Sequence, residues 1–418
     1  MEKDRIFAYI EENKEDIIAR GRRLFDCPEL GFREAQTMEM ICEELDRLGV
    51  AYEKNIAMTG VKATIGKGDG YHIGFAADID ALPRKDGEGC IHACGHSIQT
   101  AMGLTVLEAL VKTGVMEETD GRVTFFFTPA EEFIDFAYRD EMIREGKLEF
   151  RSGKQNMIAL GCFDEVDCIL SAHANGDRET KFDIGSTLAG FLAKKVVFEG
   201  KSSHSGAAPH LGRNTLHGAM LCLQAVSFLK DQFAPEAGLK LNPVITKPGG
   251  DVNMIPAETI VETYIRANDN ETLFEAARRF DDCVKHSAEM LELGWSIKTT
   301  AGYLPLRQSD GLNEVVRENM LLFCEEEDIV ENPISGASGD VGDLGTLLPT
   351  VQFGFSGIEG RFHSDFFEIK DEENCYIRGA KVMAGTMLDL LRQPEKQVRR
   401  EGFAQRKEQY LKLLRQNQ

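Results

Sequence analysis

Short apolar stretches that alternate with a helical pattern are the feature of this sequence that most restricts its fold. The stretches cover residues 61–65, 71–76, 122–127 and 167–173, and apolar residues recur at helical spacing between 99 and 112. Brief apolar runs bounded by turn signals are typical of buried strands, whereas the longer periodic segment is typical of a helix. This alternation predicts an open α/β sheet with helices on its faces.

A different order of elements begins near residue 187. Strand-like and helix-like segments between 191 and 300 follow the order βαββαβ, which is the split βαβ arrangement of a small two-layer domain. Apolar residues 350–355 then resume the pattern of the first sheet. We therefore expect an α/β protein whose main domain, a mixed open sheet flanked by helices, is formed by residues 1–186 and 301–418. The inserted domain, residues 187–300, is expected to be α+β and ferredoxin-like.

The two ends of the chain carry helical patterns. Apolar spacing between residues 4 and 48, interrupted by Cys27-Pro28-Glu29-Leu30-Gly31, predicts two helices. The polar tail after Gln393 carries an apolar stripe at Tyr410, Leu411, Leu413 and Leu414 and is expected to be a solvated terminal helix.

Charge and composition exclude several classes of function. The formal net charge of -21 argues against a nucleic-acid partner, because phosphate binding needs a basic surface. The N-terminus is charged from its second residue, and no apolar run is long enough to span a bilayer. Ten scattered cysteines show no disulfide framework. We therefore expect a cytoplasmic protein that acts on small molecules and has no membrane partner.

Residues that bind metals or transfer protons follow the strand-like runs. Because ligands bind at the carboxyl ends of the strands in an open α/β sheet, such endings are expected to converge in space. Any one of them alone fits a loop cap or a packing role equally well, but together they indicate a site. The five endings are Asp78-Ile-Asp80, His92-Ala-Cys94-Gly-His96, Glu131-Glu132, His173 and His363.

The residue types at these endings indicate the chemistry of the site. Asp78 and Asp80 lie two residues apart at a strand end, so both side chains are expected to face the same site. A thiolate and an imidazole close together favour zinc, with other transition ions as alternatives. Two adjacent carboxylates after a buried strand, Glu131 and Glu132, are costly unless cations offset their repulsion. One of them can bind metal while the other moves protons.

The sequence resembles a known family through a series of motifs in order. It is similar to the aminoacylase and carboxypeptidase superfamily of dinuclear metallohydrolases, in the amidohydrolase branch that includes hippurate hydrolase, indole-acetyl-amino-acid hydrolase and N-acetyl-diaminopimelate deacetylase. The resemblance extends from Pro28 to Ile369. Its motifs are PELGFREAQT, AADIDALP, HACGH, TPAEE, SAHANG, GKSSHSGAAPHLGRN, GGDVNMIPAE and GDVGD with the later FHSDFF.

The resemblance implies a role for each matched residue. It implies two divalent metal ions per chain, zinc or alternatively manganese or cobalt. Glu131 is the implied general base, and Asp80 is implied to steer a ligand. In the inserted domain, a lid and dimerisation domain by this resemblance, His204, Asn253 and Arg266 are implied to reach the substrate, with His204 near the carbonyl oxygen. The implied metal ligands are Cys94, His96, Glu132, His173 and His363.

The chain departs from the family pattern in two places. Relatives commonly read CGHDGHTAM, whereas Ser97 and Gln99 stand here in place of an Asp and a His. Losing a carboxylate that supports a ligand weakens metal binding by about 10- to 100-fold or changes the preferred ion. A charged segment at 136–154 is also longer than expected, and either walls the pocket or decorates the surface.

Three functions are compatible with these residues. The first is an amidohydrolase that cleaves the amide of an N-acyl amino acid, acting as a homodimer or higher homo-oligomer. The second is a dipeptidase or exopeptidase that uses the same metal centre. The third is a binding protein that has lost turnover, which Ser97 and Gln99 would explain, although a binder has no need of the base Glu131.

Overall fold

A computed structural model of the chain describes residues 2–176 and 180–417. Within these residues the helices are α1 (Glu2–Glu12), α2 (Lys14–Phe25), α3 (Ala35–Leu48), α4 (His96–Lys112), α5 (Phe136–Arg144), α6 (Gly153–Ala159), α7 (Thr215–Lys230), α8 (Asn270–Met290), α9 (Asp310–Met320), α10 (Val341–Leu347), α11 (Gly379–Arg392) and α12 (Phe403–Gln416). The strands are β1 (Tyr52–Ile56), β2 (Gly60–Asp78), β3 (Leu82–Pro83), β4 (Cys90–Ile91), β5 (Asp120–Thr128), β6 (Cys168–Ala174), β7 (Phe182–Ile184), β8 (Gly190–Glu199), β9 (Lys240–Leu241), β10 (Val244–Lys247), β11 (Glu258–Ala267), β12 (Gly294–Ala301), β13 (Ile329–Glu331), β14 (Thr350–Phe355), β15 (Ile358–Gly360) and β16 (Phe367–Ile369).

The chain divides into two compact units. Unit 1 comprises the described parts of Met1–Thr187, Arg307–Ser335 and Asp343–Lys407. Unit 2 comprises the described parts of Leu188–Leu306, Gly336–Gly342 and Glu408–Gln418. The roles predicted for the corresponding segments, a catalytic domain and a lid or dimerisation domain, stay predictions.

Unit 1 is built on a mixed seven-stranded sheet in the described part of the chain. Its strands lie in the order β1-β2-β6-β14-β7-β13, and β5 also pairs with β2. Strand β6 is parallel to both β2 and β14, and β13 is parallel to β7, whereas β1 is antiparallel to β2 and β7 is antiparallel to β14. The central strand β14 is buried along its whole length, as expected for a strand covered on both faces. This architecture is the mixed α/β sheet with flanking helices that the sequence predicts.

Helix α4 lies in the core of unit 1. Every residue from His96 to Leu110 is buried, and the helix contacts α2, α11 and β2. A helix that is apolar on all sides is stable only when it is enclosed by other elements. The first turn of α4, which begins at His96, is therefore fixed firmly in place.

The N-terminal region has three helices, whereas the sequence predicted two. The break between α1 and α2 falls at Asn13, whose side-chain amide donates a hydrogen bond to the Tyr9 carbonyl oxygen at 2.7 Å. An Asn side chain that bonds to nearby backbone competes with the helical hydrogen-bond pattern. No Pro or Gly marks this break, so the apolar spacing alone concealed it.

Unit 2 places two helices against a five-stranded sheet in the described residues. The strand order is β10-β11-β8-β12, with β9 also paired to β11, and all of these pairs are antiparallel. Buried and more exposed residues alternate along β11, and helices α7 and α8 contact this sheet. Such alternation is typical of a sheet with one covered face. Along the chain the main elements follow the order β8-α7-β10-β11-α8-β12.

The C-terminal helix differs from the sequence prediction of a solvated helix. Tyr410 and Leu414 of α12 are each only 3% exposed, so its apolar stripe is buried. The Asn417 carbonyl oxygen also accepts the Ala301 N–H at 2.8 Å, which attaches the end of the chain to β12. The charged residues of the tail concealed this burial because they occupy the opposite face. None of the described helices is long and apolar enough to cross a membrane.

Candidate metal centre

The carboxyl ends of three parallel strands in unit 1 bring the predicted site residues to one edge of the sheet. Residues 71–78 of β2 pair with β5 in a register that aligns Asp78 with Thr128. Strand β6, which contains His173, is parallel to β2 and to β14. Polar residues that follow these strands consequently meet at the same edge, as expected for an open α/β sheet.

Left-handed backbone conformations shape the turns that carry the site residues. The φ angles are 86° at Gly95, 52° at Ala130 and 56° at His363. Glycine adopts such angles freely, whereas for Ala and His they are uncommon and are retained only where surrounding contacts fix them. At His363 one such contact is the backbone N–H, which donates to the Ala93 carbonyl oxygen at 2.9 Å.

The five residues predicted as metal ligands come together with Glu131. Three groups each place one donor atom per residue within 4.8 Å of the others. Cys94 takes part in two of these groups, and His96 and Glu132 also take part in two each. The groups are Cys94, His96 and His173; Cys94, Glu132 and His363; and His96, Glu131 and Glu132.

Cys94 and His173 present a sulfur and a nitrogen to one another. The Cys94 Sγ lies 3.6 Å from the His173 Nε2, and the His173 Nδ1 lies 2.7 Å from the Ala174 carbonyl oxygen. That carbonyl accepts only from a protonated Nδ1, so Nε2 carries the free lone pair. Burial lowers the pKa of His173 to about 4, which keeps the ring neutral. A neutral imidazole with Nε2 free is the form that ligates metals.

His96 is oriented by Asp80. Its Nδ1 lies 3.0 Å from the Asp80 Oδ1 and 3.0 Å from the Asp80 carbonyl oxygen, and both residues are fully buried. The other nitrogen, Nε2, has no hydrogen-bond partner among the described residues. A carboxylate behind one imidazole nitrogen with the second nitrogen free is the usual arrangement at a metal-binding histidine.

The two adjacent glutamates occupy different surroundings. A Glu131 carboxylate oxygen lies 3.9 Å from the His96 Nε2, whereas the Glu132 Oε1 lies 3.2 Å from the His363 Nε2. The hydrogen bond that the His363 ring donates to the Glu132 carboxylate raises the pKa of His363, although partial burial opposes this effect. The His363 side chain remains 55% exposed, so it lies at the solvent side of the cluster.

The donor set is suited to divalent cations. Burial works to lower the pKa of His96, but the charge of Cys94 and the hydrogen bond to Asp80 raise it well above its usual value. Burial also raises the pKa of the Cys94 thiol. The cluster therefore brings a thiol, imidazoles and carboxylates together, and the His96 Nε2 has no hydrogen-bond partner among the described residues. Sulfur, imidazole and carboxylate donors in this combination fit zinc and related transition ions.

Asp78 differs from the sequence prediction that it shares a site with Asp80. Its Oδ1 accepts a hydrogen bond from the Thr128 hydroxyl at 2.6 Å and is paired with the Lys154 ammonium group. Strand β2 ends at Asp78, so the alternation of side chains that underlay the prediction does not extend to Asp80. The two aspartates consequently have separate partners.

Sequence reasoning missed two buried residues beneath the glutamates. Glu34 is fully buried, and its Oε1 accepts the N–H of Ala130 at 2.8 Å, next to Glu131. The Arg139 guanidinium donates to the carbonyl oxygen of Glu132. Glu34 lies in the PELGFREAQT motif and Arg139 in the long charged segment, so both were within stretches already noted.

The three predicted substrate residues lie in unit 2. The His204 Nδ1 accepts the N–H groups of Gly206 at 3.2 Å and Ala207 at 3.1 Å. In the neutral ring the proton is therefore on Nε2. The Asn253 carbonyl oxygen accepts the N–H of Ser205 at 2.9 Å, so Asn253 lies beside the His204 turn.

Arg266 lies on β11 in the same unit. Its Nη1 donates to the Ser338 hydroxyl at 2.7 Å, and its guanidinium lies 5.2 Å from the centre of the Phe191 ring. The assignment of His204, Asn253 and Arg266 to the substrate site stays a prediction, as do the individual roles of the unit 1 residues.

Comparisons with known proteins identify the family of this chain. Residues 74–389 match the family described as peptidase family M20/M25/M40. An IAA-amino acid hydrolase of Arabidopsis thaliana is 25% identical over 387 residues, which cover 87% of this chain and 84% of that protein. An Xaa-Arg dipeptidase of Homo sapiens is 24% identical over 423 residues, covering 92% of this chain and 88% of that protein. The crystal structure of a dinuclear metal-binding M20 peptidase from Bacillus subtilis has a TM-score of 0.72 at 19% identity, covering 91% of this chain and 99% of that one.

Proposed function

Because the chain belongs to peptidase family M20/M25/M40 and is a metal-dependent hydrolase, we propose that it cleaves the amide bond of an N-acyl amino acid at a site for two divalent cations. The family, the α/β fold class and the amidohydrolase class predicted from the sequence are thereby confirmed. The substrate, the assignment of residues and the identity of the metal are the proposed part.

The observation that carries this proposal is the shared position of Cys94. Its sulfur belongs both to the group with His96 and His173 and to the group with Glu132 and His363. A single thiolate common to two ligand groups supports two adjacent cations rather than one. The Bacillus subtilis peptidase, whose fold this chain shares, is a dinuclear metal-binding peptidase. We propose zinc for both positions, with manganese or cobalt as alternatives, because a thiolate and imidazoles are soft ligands.

Each group of residues at the site has its own role in hydrolysis in this proposal. Divalent cations held by these ligands would lower the pKa of a water molecule and polarise the scissile carbonyl group. Glu131 accepts a proton from that water molecule while the water oxygen bonds to the carbonyl carbon. It then delivers the proton to the nitrogen as the carbon–nitrogen bond breaks, so that one carboxylate is first base and then acid. Asp80 keeps the His96 ring in the orientation that ligation requires.

Unit 2 supplies the polar contacts to the substrate in this proposal. With Nδ1 occupied by two backbone N–H groups, neutral His204 offers its Nε2–H as a donor. A donor of this kind stabilises the oxyanion that develops on the carbonyl oxygen. Arg266, a guanidinium that suits carboxylates, and Asn253 would bind the carboxylate of the amino-acid product.

A dipeptidase is the second candidate function. The similarity to the human Xaa-Arg dipeptidase over 92% of this chain favours it. The two reactions use the same metal chemistry and differ at the acyl side, where a dipeptide carries a free amine. The third alternative, a binding protein without turnover, does not explain why Glu131 is held 3.9 Å from the His96 nitrogen.

The decisive experiment measures hydrolysis of a substrate panel. Purified protein is supplied with zinc, manganese or cobalt and given N-acetyl, N-benzoyl and N-indoleacetyl amino acids beside dipeptides that carry the same C-terminal residues. Release of the amino acid from the N-acyl compounds alone supports the proposal, whereas cleavage of the dipeptides alone supports the peptidase. Glu131→Gln serves as the control, since activity that this substitution leaves unchanged comes from a contaminating enzyme. No turnover of any compound with metal bound would support the binding protein.

We also propose that the protein works in the cytoplasm as a homodimer or a higher homo-oligomer, with unit 2 acting as a lid and dimerisation domain. The ten cysteines, which are all free thiols in the structure, support a reducing compartment. Light scattering coupled to size exclusion tests the assembly, and a mass equal to that of one chain would contradict it.

A further inference from the structure

The segment 136–154 contributes two deeply buried cations to unit 1. Arg139 and Lys154 are each only 1% exposed and are among the largest fully buried side chains. Lys and Arg are almost never fully buried unless they are paired, because removing a charge from water is costly. Such burial is unexpected for a charged segment that decorates a surface.

Arg139, on α5, contacts the backbone of the site. Its Nη2 donates to the carbonyl oxygen of Glu132, and its Nη1 donates to the Arg151 carbonyl oxygen at 2.6 Å. The N–H of the same residue, Glu132, donates to the Asp80 Oδ2 at 3.0 Å. The peptide groups on both sides of the Glu132 side chain are thus fixed, one by Arg139 and the other by Asp80.

Lys154, in the first turn of α6, contacts the end of β2. Its ammonium group pairs with the Asp78 carboxylate, which also accepts the Thr128 hydroxyl at the end of β5. The backbone N–H of Asp78 donates to the Gln99 Oε1 at 3.0 Å. Lys154 therefore joins α6 to two strand ends and, through Asp78, to the first turn of α4.

We propose that segment 136–154 is a brace for the metal centre, in which Arg139 and Lys154 are positioning residues that hold the loop after β5 and the end of β2. Strands β2 and β5 end shortly before Asp80 and the two glutamates. Lys154 contacts Asp78 at the end of β2, and Arg139 contacts the Glu132 carbonyl oxygen in the loop after β5. Neither cation belongs to the three donor groups, so the brace acts through backbone and aspartate contacts. This inference rests on the proposed function for its metal-binding readout.

Metal affinity measures the contribution of Arg139. The Arg139→Met variant is titrated with zinc against a chromogenic chelator, below its unfolding temperature and without substrate. We expect its dissociation constant for zinc to rise by about 10-fold or more, the range found when a group that supports a ligand is lost. Arg139→Lys keeps the charge and one donor, so it should recover part of this loss. Unchanged zinc affinity in Arg139→Met would overturn the proposal.

Two variants in the same segment separate bracing from general stability. Arg151 pairs with Asp140 at 2.6 Å and contributes only its backbone to the Arg139 contact, so Arg151→Met removes a cation without removing the brace. Met142→Ala opens the buried face of α5 and leaves both cations in place. We expect both controls to bind zinc within about 3-fold of the unaltered protein, a difference below about 0.7 kcal/mol. An equal loss in Met142→Ala would show that stability alone is responsible and would contradict the brace.

Lys154 needs a paired design because Lys154→Met alone leaves the Asp78 charge buried and uncompensated. Adding Asp78→Asn removes that charge, so the double variant is expected to fold. The brace predicts that the double variant recovers its unfolding temperature but still binds zinc about 10-fold more weakly. Full recovery of zinc affinity would limit Lys154 to charge compensation and remove it from the brace.

Hydrogen exchange distinguishes failure of the brace from failure of the proposed function. In metal-free protein, peptides that cover residues 128–134 should exchange faster in Arg139→Met than in Arg151→Met. Faster exchange in a protein that binds no zinc at all would support the brace and contradict the proposed metal chemistry. Equal exchange in the two variants would overturn the brace whatever the activity.

Discussion

The Asp80 carboxylate lies 3.0 Å from the Nδ1 of His96, with both side chains completely buried. The same carboxylate accepts the N–H of Glu132 at 3.0 Å through its other oxygen. One side chain consequently orients two of the predicted ligands, His96 at the start of α4 and Glu132 in the loop after β5. Burial works to raise the pKa of Asp80, but the hydrogen bond and charge of His96 outweigh it, and the pKa falls below its usual value. Asp80 is therefore held as an anion.

Replacing Asp80 by Asn should weaken metal binding more than it weakens folding. Asn keeps the volume and one acceptor but removes the charge that fixes the tautomer and orientation of the His96 ring and increases the basicity of its Nε2. We expect zinc affinity to fall by about 10- to 100-fold. Chelator competition measures this change, with urea unfolding of the metal-free protein as the companion measurement. Unchanged zinc affinity would show that Asp80 does not support His96.

The two adjacent glutamates should respond differently to the same substitution. Glu131→Gln removes the proton carrier and no ligand, so kcat should fall by at least about 100-fold while bound metal stays near that of the unaltered protein. Glu132→Gln removes a ligand and should lose metal. Metal per chain, measured by mass spectrometry after identical dialysis, decides between them. If Glu131→Gln loses its metal and Glu132→Gln keeps it, the two roles are reversed.

His204 should affect turnover and leave metal content unchanged, because it lies in unit 2 outside the three donor groups. We expect His204→Ala to lower kcat by about 100- to 1,000-fold, the range for loss of one donor to a developing oxyanion. His210 is exposed and lies in the same loop region, so His210→Ala is the matched control and should leave kcat unchanged. Full activity in His204→Ala would remove it from the site.

Strand endings made the metal centre predictable from the sequence. His173 ends a buried apolar run, and the two glutamates follow another. Because parallel strands end at the same edge of a sheet, the sequence pattern alone predicts that these residues lie close together. Cys94 and His96 required only that α4 begin beside that edge. The structure groups the six predicted residues within hydrogen-bonding and ligation distances, although their individual roles remain predictions.

The support beneath the site was not predictable in the same way. Arg139 lies in a charged segment, and such segments are usually solvated, so its pattern gave no sign of burial. Its partner is a backbone carbonyl, which carries no sequence signal at all. Lys154 and Asp78 are far apart in sequence, and only the packing of α6 against the strand ends brings them together. The buried carboxyl group of Glu34 was concealed in the same way, since its contact is the Ala130 N–H.

Glu34 should give the stability of the metal-free protein a distinct pH dependence. Burial, reinforced by the charge of Asp80, raises the pKa of Glu34 to about 8 from its usual 4.5. Between these values the unfolded chain has released the proton while the folded chain retains it. Stability that is present below pH 4.5 is therefore lost as the pH rises to about 8, by up to roughly 1.4 kcal/mol per pH unit.

Comparison with Glu34→Gln isolates this effect. The other oxygen of Glu34 accepts the Thr59 hydroxyl. Gln can accept the Ala130 N–H and donate to the Thr59 hydroxyl oxygen, but it does not titrate. The free energy of unfolding of the unaltered protein, relative to that of Glu34→Gln, should fall from pH 5 to pH 8 and then level off. Urea unfolding at each pH provides the measurement, and parallel curves for the two proteins would contradict the raised pKa.

Ser97 predicts that the metal centre is incompletely occupied. Its hydroxyl is buried beside His96 in the first turn of α4 and has no hydrogen-bond partner among the described residues. A carboxylate here, as in CGHDGHTAM sequences, would brace a neighbouring ligand and raise its basicity, whereas a neutral hydroxyl offers at most one weak bond. Asp80 already supports His96, so the shortfall should fall on a different ligand and leave one metal position weak. We expect the purified protein to hold fewer than two metals per chain and its activity to rise when divalent metal is supplied.

Ser97→Asp should raise occupancy, and Ser97→Asn, which matches Asp in volume without the charge, should not. Metal per chain by mass spectrometry after identical dialysis is the measurement for all three proteins. Two tightly held metals in the unaltered protein would contradict the prediction and would mean that Asp80 or another residue has replaced the missing carboxylate.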